Sequence, residues 1–140
     1  MSACTDEATF HRFVEQAVNN GRLDVIDEIF QPACVGCYAN WWSPAVGPAE
    51  CRRWVQELRT AFPDLEAMID DSWMIRDGNA RRVAVLLAFC GTHRGSFIGI
   101  PATGKRVRWT QVHLLTFDRG RVAEDVVISD TRPLRAALVM

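Results

Sequence analysis

The chain has 140 residues and a mass of 15.8 kDa; 49% of its residues are hydrophobic and 24% are charged. This length fits a single domain over residues 1–140, because two domains of half the size would each bury too little apolar surface. Sixteen basic and seventeen acidic residues give a formal net charge of −1 without a block of like charge, which argues against a nucleic-acid-binding protein, since such a protein needs a basic face.

The apolar segments and the cysteines bear on location and on cofactors. The longest apolar run, Val83 to Cys90, is far shorter than a membrane span, and no Lys- or Arg-led apolar segment opens the chain, so we expect a cytoplasmic protein without a membrane segment. An odd number of cysteines predicts reduced thiols. Cys34 and Cys37 have the spacing of half a zinc site, but no second Cys/His pair follows, and no Gly-rich phosphate-binding turn follows a strand. The sequence therefore predicts neither a metal nor an organic cofactor.

Three helices are predicted in the first part of the chain. Thr5 is suited to cap a helix whose apolar residues recur at helical spacing up to Val18. A second, shorter helix covers residues 23–30 and stops before Pro32. A third helix begins at Pro48, a residue favoured in the first turn, and ends at Pro63.

Strands are predicted after the third helix. Ile69, Trp73 and Ile75 alternate with polar residues, and a turn then leads into an apolar run from residue 83 to residue 89. A long strand over residues 106–117 and its partner over residues 121–129 follow, and the tail is a short helix or a closing strand. Helices followed by antiparallel strands predict an α+β domain with a curved sheet wrapped around the helices.

The strand over residues 106–117 carries the candidate chemistry. One face presents Trp109, Gln111 and His113, a mixture of aromatic and polar side chains that is typical of a pocket wall. The other face presents Val112 and Leu114 and is predicted to be an exterior or subunit-facing surface. The plainer alternative is that His113 is a core histidine with its hydrogen bonds satisfied. The register of the sheet decides which face points inward.

The five tryptophans also allow two interpretations. Trp41 and Trp42 follow an irregular stretch, and two adjacent indoles in a loop favour a pocket lip or a subunit interface. Trp54 and Trp73 lie among periodic apolar neighbours, which is more typical of packing. Five tryptophans in one small domain nevertheless suit a large, flat, apolar ligand.

Several segments together resemble the SnoaL-like polyketide cyclase family. They are Gly47-Pro48-Ala49-Glu50, residues 58–65 (LRTAFPDL), Gly91-Thr92-His93-Arg94-Gly95, residues 99–105 (GIPATGK) and residues 117–122 (FDRGRV). The resemblance implies a nuclear transport factor 2-like, cone-shaped α+β barrel with an apolar pocket, which is usually a homodimer. It also implies ring closure of an aromatic polyketide ester by intramolecular aldol condensation without a cofactor.

The resemblance assigns candidate site residues. Gln111 and His113 match the Gln and His that assist an Asp on the next strand in the cyclases, but the position of that Asp is occupied here by Val127. Asp125 has the same strand face, about 7 Å away along the strand, and is our candidate for the base; the alternative is a solvated, idle carboxylate. The expected substrate-binding residues are Trp41, Trp42, Trp54, Trp73, Phe97, Trp109 and Val127.

The resulting hypothesis is a cofactor-independent cyclase that acts on a polyketide or aromatic intermediate of antibiotic biosynthesis. Its partners are a hydrophobic aromatic small molecule and a second copy of the chain, with neither nucleic acid nor membrane. One alternative is a hydroxylase component or epoxide hydrolase, which needs Asp71 or Asp125 together with an arginine. The other alternative is a protein that binds the small molecule without turning it over.

Overall fold

The computed structural model describes the backbone of residues 3–37, 44–78 and 80–140. Its helices are α1 (Ala3–Arg12), which continues directly as a π-helix (Phe13–Asn19), α2 (Asp24–Ile29), α3 (Ala49–Ala61) and α4 (Arg132–Val139). Its strands are β1 (Phe30–Cys37), β2 (Ala45–Val46), β3 (Glu66–Asp77), β4 (Ala80–Thr92), β5 (Arg106–Asp118) and β6 (Arg121–Ile128). No helix of these described ranges is both long enough and apolar enough to cross a bilayer.

The strands form one mixed six-stranded sheet in the order β2-β1-β6-β5-β4-β3. β1 is parallel to β6, and the other neighbouring pairs are antiparallel. The predicted α+β class with a curved sheet is confirmed. The sheet does not close into the expected barrel, because β2 and β3 remain as its two edges in the described part of the chain.

The helices pack on one face of this sheet. The stripe of the first helix is buried as expected, and so is that of α3; the fully or almost fully buried members include Phe10, Phe13, Val14, Ala17, Val18, Cys51, Val55, Leu58 and Phe62. On β4 the odd-numbered residues from Val83 to Phe89 are buried beneath these helices, while the even-numbered ones are half-buried on the opposite face. We refer to these as the inner and the outer face of the sheet.

Two parts of the predicted secondary structure need correction. Thr5 lies inside α1 and does not cap it, because the helix already begins at Ala3. The second helix ends before Pro32 as expected, and the segment after it, for which the sequence predicted no element, is strand β1. Pro32 has no N–H to donate, and it is accommodated because the pairing with β6 shifts register between Phe30 and Val35.

A bulge in β3 decides where Trp73 lies. Ile69 is opposite Leu87 of β4, whereas the register shift before Asp71 puts Trp73 opposite Ala84. Leu87 and Ala84 lie on opposite faces of β4, so Ile69 points to the inner face and Trp73 to the outer face. The expectation that Ile69, Trp73 and Ile75 share one face is therefore wrong, and Trp73 is 48% exposed.

Side-chain hydrogen bonds connect the end of the π-helix to β3 and to α3. The Asn19 side chain donates to the carbonyl of Ala67 on β3 at 2.8 Å and accepts from the Ala67 N–H at 2.7 Å, as a neighbouring strand would. The Arg59 guanidinium of α3 donates to the carbonyls of Val18 (3.0 Å) and Asn19 (2.6 Å). These bonds satisfy terminal carbonyls that have no partner within the helix.

The loop between β4 and β5 is organised by His93. The Thr103 N–H lies 3.2 Å from Nδ1 of His93, so this nitrogen is an acceptor and Nε2 carries the proton of the neutral ring. Gly95 packs directly on α3: a Cβ at this position would come within 2.8 Å of the Thr60 carbonyl oxygen.

Candidate active site

The inner face of β5 carries the predicted polar and aromatic residues in one line. Trp109, Gln111, His113 and Leu115 alternate along the strand with outer-face residues. Across the sheet, His113 lies opposite Val85 of β4 and Val127 of β6, while Asp125 of β6 lies opposite Leu115. Asp125 is therefore one cross-strand row away from His113 on the same face.

Asp125, His113 and Gln111 form a chain of hydrogen bonds. Nδ1 of His113 lies 3.0 Å from Oδ1 and 3.2 Å from Oδ2 of Asp125, and Nε2 lies 3.3 Å from Oε1 of Gln111. His113 is 1% exposed and Asp125 is 2% exposed, whereas Gln111 is half-buried. Asp125 is consequently not the solvated, idle carboxylate of the alternative interpretation; it is buried and paired.

The surroundings of this chain are apolar. Phe10 of α1 and Trp54 of α3 lie against the His113 ring, with centroid distances of 5.5 Å and 6.2 Å. Burial raises the pKa of the Cys51 thiol well above its ordinary value of 9.0, and the nearby Asp125 charge raises it further. The same two causes, in the same order, raise the pKa of the Cys34 thiol. Both thiols are therefore protonated and non-nucleophilic at neutral pH.

An aromatic wall continues the site along β5. Trp109 stacks on Phe89 of β4, with ring centroids 5.2 Å apart and planes within 10°. Phe62, just after α3, lies 4.8 Å from Trp109 and 5.2 Å from Phe97. A cavity of about 340 Å³ has Phe89 and Trp109 in its lining, but Ala88, Arg108 and Thr110 of that lining lie on the outer face, and Gln111, His113 and Asp125 do not line it. This wall is suited to a flat ring system.

The structure brings most of the predicted site residues together and leaves some apart. Trp54, Phe97, Trp109 and Val127 lie among the inner-face residues with Gln111, His113 and Asp125. Trp73 is on the outer face, so it does not reach this site. Trp41 and Trp42 lie outside the described residues.

Sequence reasoning missed three aromatic residues of this site: Phe10, Phe62 and Phe89. Helical spacing does show that Phe10 and Phe62 point inward, but not which strand they meet. In the ranges that the structure describes, no three His, Cys, Asp or Glu side chains are grouped so that they could hold a metal ion.

These features define an α+β protein whose sheet holds a buried, hydrogen-bonded histidine–aspartate pair beside an aromatic wall. The chain belongs to the SnoaL-like polyketide cyclase family, whose description matches residues 8–138. It is 29% identical over 114 residues to the aklanonic acid methyl ester cyclase of Streptomyces peucetius, covering 81% of this chain and 77% of the relative. It is 28% identical over 108 residues to the nogalonic acid methyl ester cyclase of Streptomyces nogalater, covering 77% and 78%.

Solved structures show the same fold. A protein assigned as a SnoaL-like polyketide cyclase from Jannaschia superposes with a TM-score of 0.81 at 23% identity, covering 99% of this chain and 95% of that one. AclR of Streptomyces galilaeus, assigned as a hydroxylase, also reaches a TM-score of 0.81, at 28% identity and with 99% and 83% coverage.

Proposed function

We propose that this protein is a cofactor-independent cyclase that closes a ring of an aromatic polyketide ester in antibiotic biosynthesis. The observation that supports this most directly is the buried chain of Asp125, His113 and Gln111 beside the aromatic wall of Trp109 and Phe89. Such a site provides a group that accepts a proton, a group that hydrogen-bonds an oxyanion, and an apolar surface for a flat substrate. The free thiols of Cys34 and Cys51 are consistent with work in the reducing cytoplasm.

The reaction needs only a proton acceptor that later returns the proton. The acid/base pair removes a proton from the carbon next to a carbonyl, and the resulting enolate carbon forms a bond with a second carbonyl carbon of the same molecule. The new alkoxide then takes the proton back, so that the product is an isomer of the substrate. The wall holds the folded chain with the two carbons close together, which makes the step effectively intramolecular.

The carboxylate of this chain occupies a different position from the one that the family resemblance implies. Val127 lies directly opposite His113, and the carboxylate is two residues earlier, at Asp125. Because side chains alternate along a strand, the displacement of two residues keeps the carboxylate on the inner face. We therefore propose that the acid/base function is retained at Asp125 and His113.

Turnover of two methyl esters tests the proposal. The purified protein is incubated with aklanonic acid methyl ester and with nogalonic acid methyl ester, whose cyclases are its relatives, and the products are analysed by mass spectrometry and NMR. We expect a cyclised isomer of unchanged mass from at least one of them. A product that has gained an oxygen atom supports a hydroxylase instead, an alternative favoured by the likeness to AclR. Binding of both esters without turnover contradicts the cyclase proposal.

We further propose that the chain forms a homodimer through the outer face of the sheet. One row of side chains crosses four strands of this face and consists of Trp73, Ala84, Leu114 and Val126. The neighbouring row includes Leu86, Val112 and Ile128. Met68, Trp73 and Ile128 are 55%, 48% and 55% exposed, which is unusual for large apolar side chains on one face of a monomer. A standard interface buries roughly 800 Å² on each partner, and a sheet face of this extent is adequate for it.

A single charge on this face is expected to separate the dimer. Trp73→Lys places an ammonium group in the apolar row, so we expect light scattering to fall from twice the 15.8 kDa chain mass to the chain mass. Val46→Lys is the matched control, because Val46 is 72% exposed on the short edge strand β2 and should leave the dimer intact. A wild-type protein that is monomeric at micromolar concentration contradicts the proposal.

A further inference from the structure

The structure assigns different roles to Asp125 and His113 than the sequence suggests. Resting on the proposed cyclase function, we infer that His113 is the residue that exchanges a proton with the substrate through its Nε2 atom. Asp125 is a positioning residue that acts through Nδ1 of His113 and does not touch the substrate. Gln111 is paired with Nε2 in the substrate-free protein and gives up this position when the substrate's acidic carbon approaches.

The position of Asp125 argues against direct contact with a substrate. Both carboxylate oxygens lie within 3.2 Å of the same atom, Nδ1 of His113, so both are directed at the ring. Its neighbours across the sheet are Leu115 of β5 and Gly36 of β1. To reach a substrate carbon, the carboxylate would have to leave His113 and leave that imidazole N–H without a partner in an apolar environment.

The opposite side of the imidazole, at Nε2, faces Gln111 and the part of β5 that leads to the aromatic wall. Nε2 points to Gln111, which is half-buried and is the next inner-face residue toward Trp109 on β5. The ring itself is held between Phe10 and Trp54. A substrate that approaches from the side of Gln111 therefore meets Nε2 before it meets any atom of Asp125.

Hydrogen-bond chemistry fixes the tautomer that this role requires. An ionised carboxylate only accepts, so Nδ1 carries a proton and Nε2 of the neutral ring has a free lone pair. The Gln111 amide donates to that lone pair through its NH₂ group until the substrate approaches. When Nε2 has taken the substrate's proton, the amide turns and accepts through Oε1, which is the pairing at 3.3 Å in the structure. The proton then moves from Nε2 to the alkoxide, so no other reactant is consumed.

The titratable groups around the pair are compatible with this cycle. The Asp125 carboxylate lies 3.0 Å from Nδ1 of His113, so it accepts a hydrogen bond from the ring whether or not Nε2 is protonated. Among the described residues, the thiols of Cys34 on β1 and Cys51 on α3 interact electrostatically with Asp125, Arg121 does so with Cys34, and Arg52 with Cys51. Burial raises the pKa of both thiols, so they stay neutral near pH 7 and add no charge beside the pair.

The imidazole ¹⁵N spectrum of the labelled full chain tests the assignment without any substrate. We expect the neutral ring of His113 to carry its proton on Nδ1, because that nitrogen lies 3.0 Å from the Asp125 carboxylate, and to leave Nε2 unprotonated. His93 is an internal control with the opposite tautomer, because its Nδ1 accepts from the Thr103 N–H. His113→Gln identifies the signals. A neutral His113 that carries its proton on Nε2 overturns the assignment.

Asp125→Asn provides a second, kinetic test. The variant should lower kcat by less than His113→Gln does, because the imidazole remains, and it should release the fixed tautomer, since an amide both donates and accepts. A loss of kcat as large as that of His113→Gln, with the tautomer of His113 unchanged, shows that Asp125 is itself the base. If the variant does not fold, the wild-type ¹⁵N spectrum decides. Absence of turnover by the wild type refutes the cyclase proposal and leaves the tautomer assignment standing.

Discussion

His113→Gln should lower kcat for the cyclised methyl ester by about 10²–10⁴, the usual contribution of a general acid or base. Glutamine retains a polar group that can donate to the Asp125 carboxylate, but its amide does not take up or release a proton near neutral pH. This choice matters because a change to alanine would leave the buried carboxylate without a partner and would confuse loss of stability with loss of chemistry. KM should change much less than kcat, since Phe89 and Trp109 of the aromatic wall are untouched.

The control for this prediction is His11→Gln. His11 is exposed on α1 and contributes no group to the site, so its replacement should leave kcat and the unfolding curve unchanged. Single-turnover measurements with the two variants and the wild type separate the chemical step from product release. A kcat for His113→Gln within a factor of a few of the wild type would show that the proton goes elsewhere.

Phe62→Ala should lower the free energy of unfolding by about 3–5 kcal/mol, the range for a fully buried aromatic residue. Phe62 is completely buried, and its ring contacts His93, Phe97 and Trp109 at centroid distances of 5.5, 5.2 and 4.8 Å. The cavity left by the ring cannot be filled from β4, because its nearest residue, Gly91, has no side chain. The backbone is already close there: a Cβ built on Gly91 would lie 2.9 Å from Cβ of Phe62. The lost contacts are therefore not replaced.

Urea unfolding followed by circular dichroism measures this loss as a lower midpoint at an unchanged slope. Phe97→Ala is the matched control: Phe97 belongs to the same aromatic cluster but is half-buried, so its replacement should cost less. Equal losses for the two variants would show that burial does not determine the contribution of these rings. Phe62→Ala should also raise KM, because Trp109 of the aromatic wall loses its contact with the Phe62 ring.

Local patterns in the sequence determined much of this fold. The helical spacing from Phe10 to Val18 placed that stripe in the core, and the apolar run after residue 83 predicted β4. The turn at Asp118-Arg119-Gly120 separates β5 from β6 as expected, since Arg119 and Gly120 have the positive φ values of 54° and 78° that a tight hairpin requires. These features depend on neighbours within a few residues, which a sequence records directly.

Contacts between distant segments decided the rest. β1 has Pro32 in its middle and becomes a strand only because β6 offers it a parallel partner with a shifted register. The bulge between Ile69 and Asp71 turned Trp73 to the outer face, which no alternation of residue types could have indicated.

The candidate site illustrates the same division. The sequence by itself determined that Gln111 and His113 share a strand face and that Asp125 was the nearest carboxylate to the position of Val127. Only the tertiary structure decided that this face points inward and that Asp125 bonds to Nδ1 of His113 and leaves Nε2 toward the wall. The reason is physical: strand periodicity fixes which side chains lie together on one strand, whereas the register between strands and the packing of α1 and α3 set the distances between them.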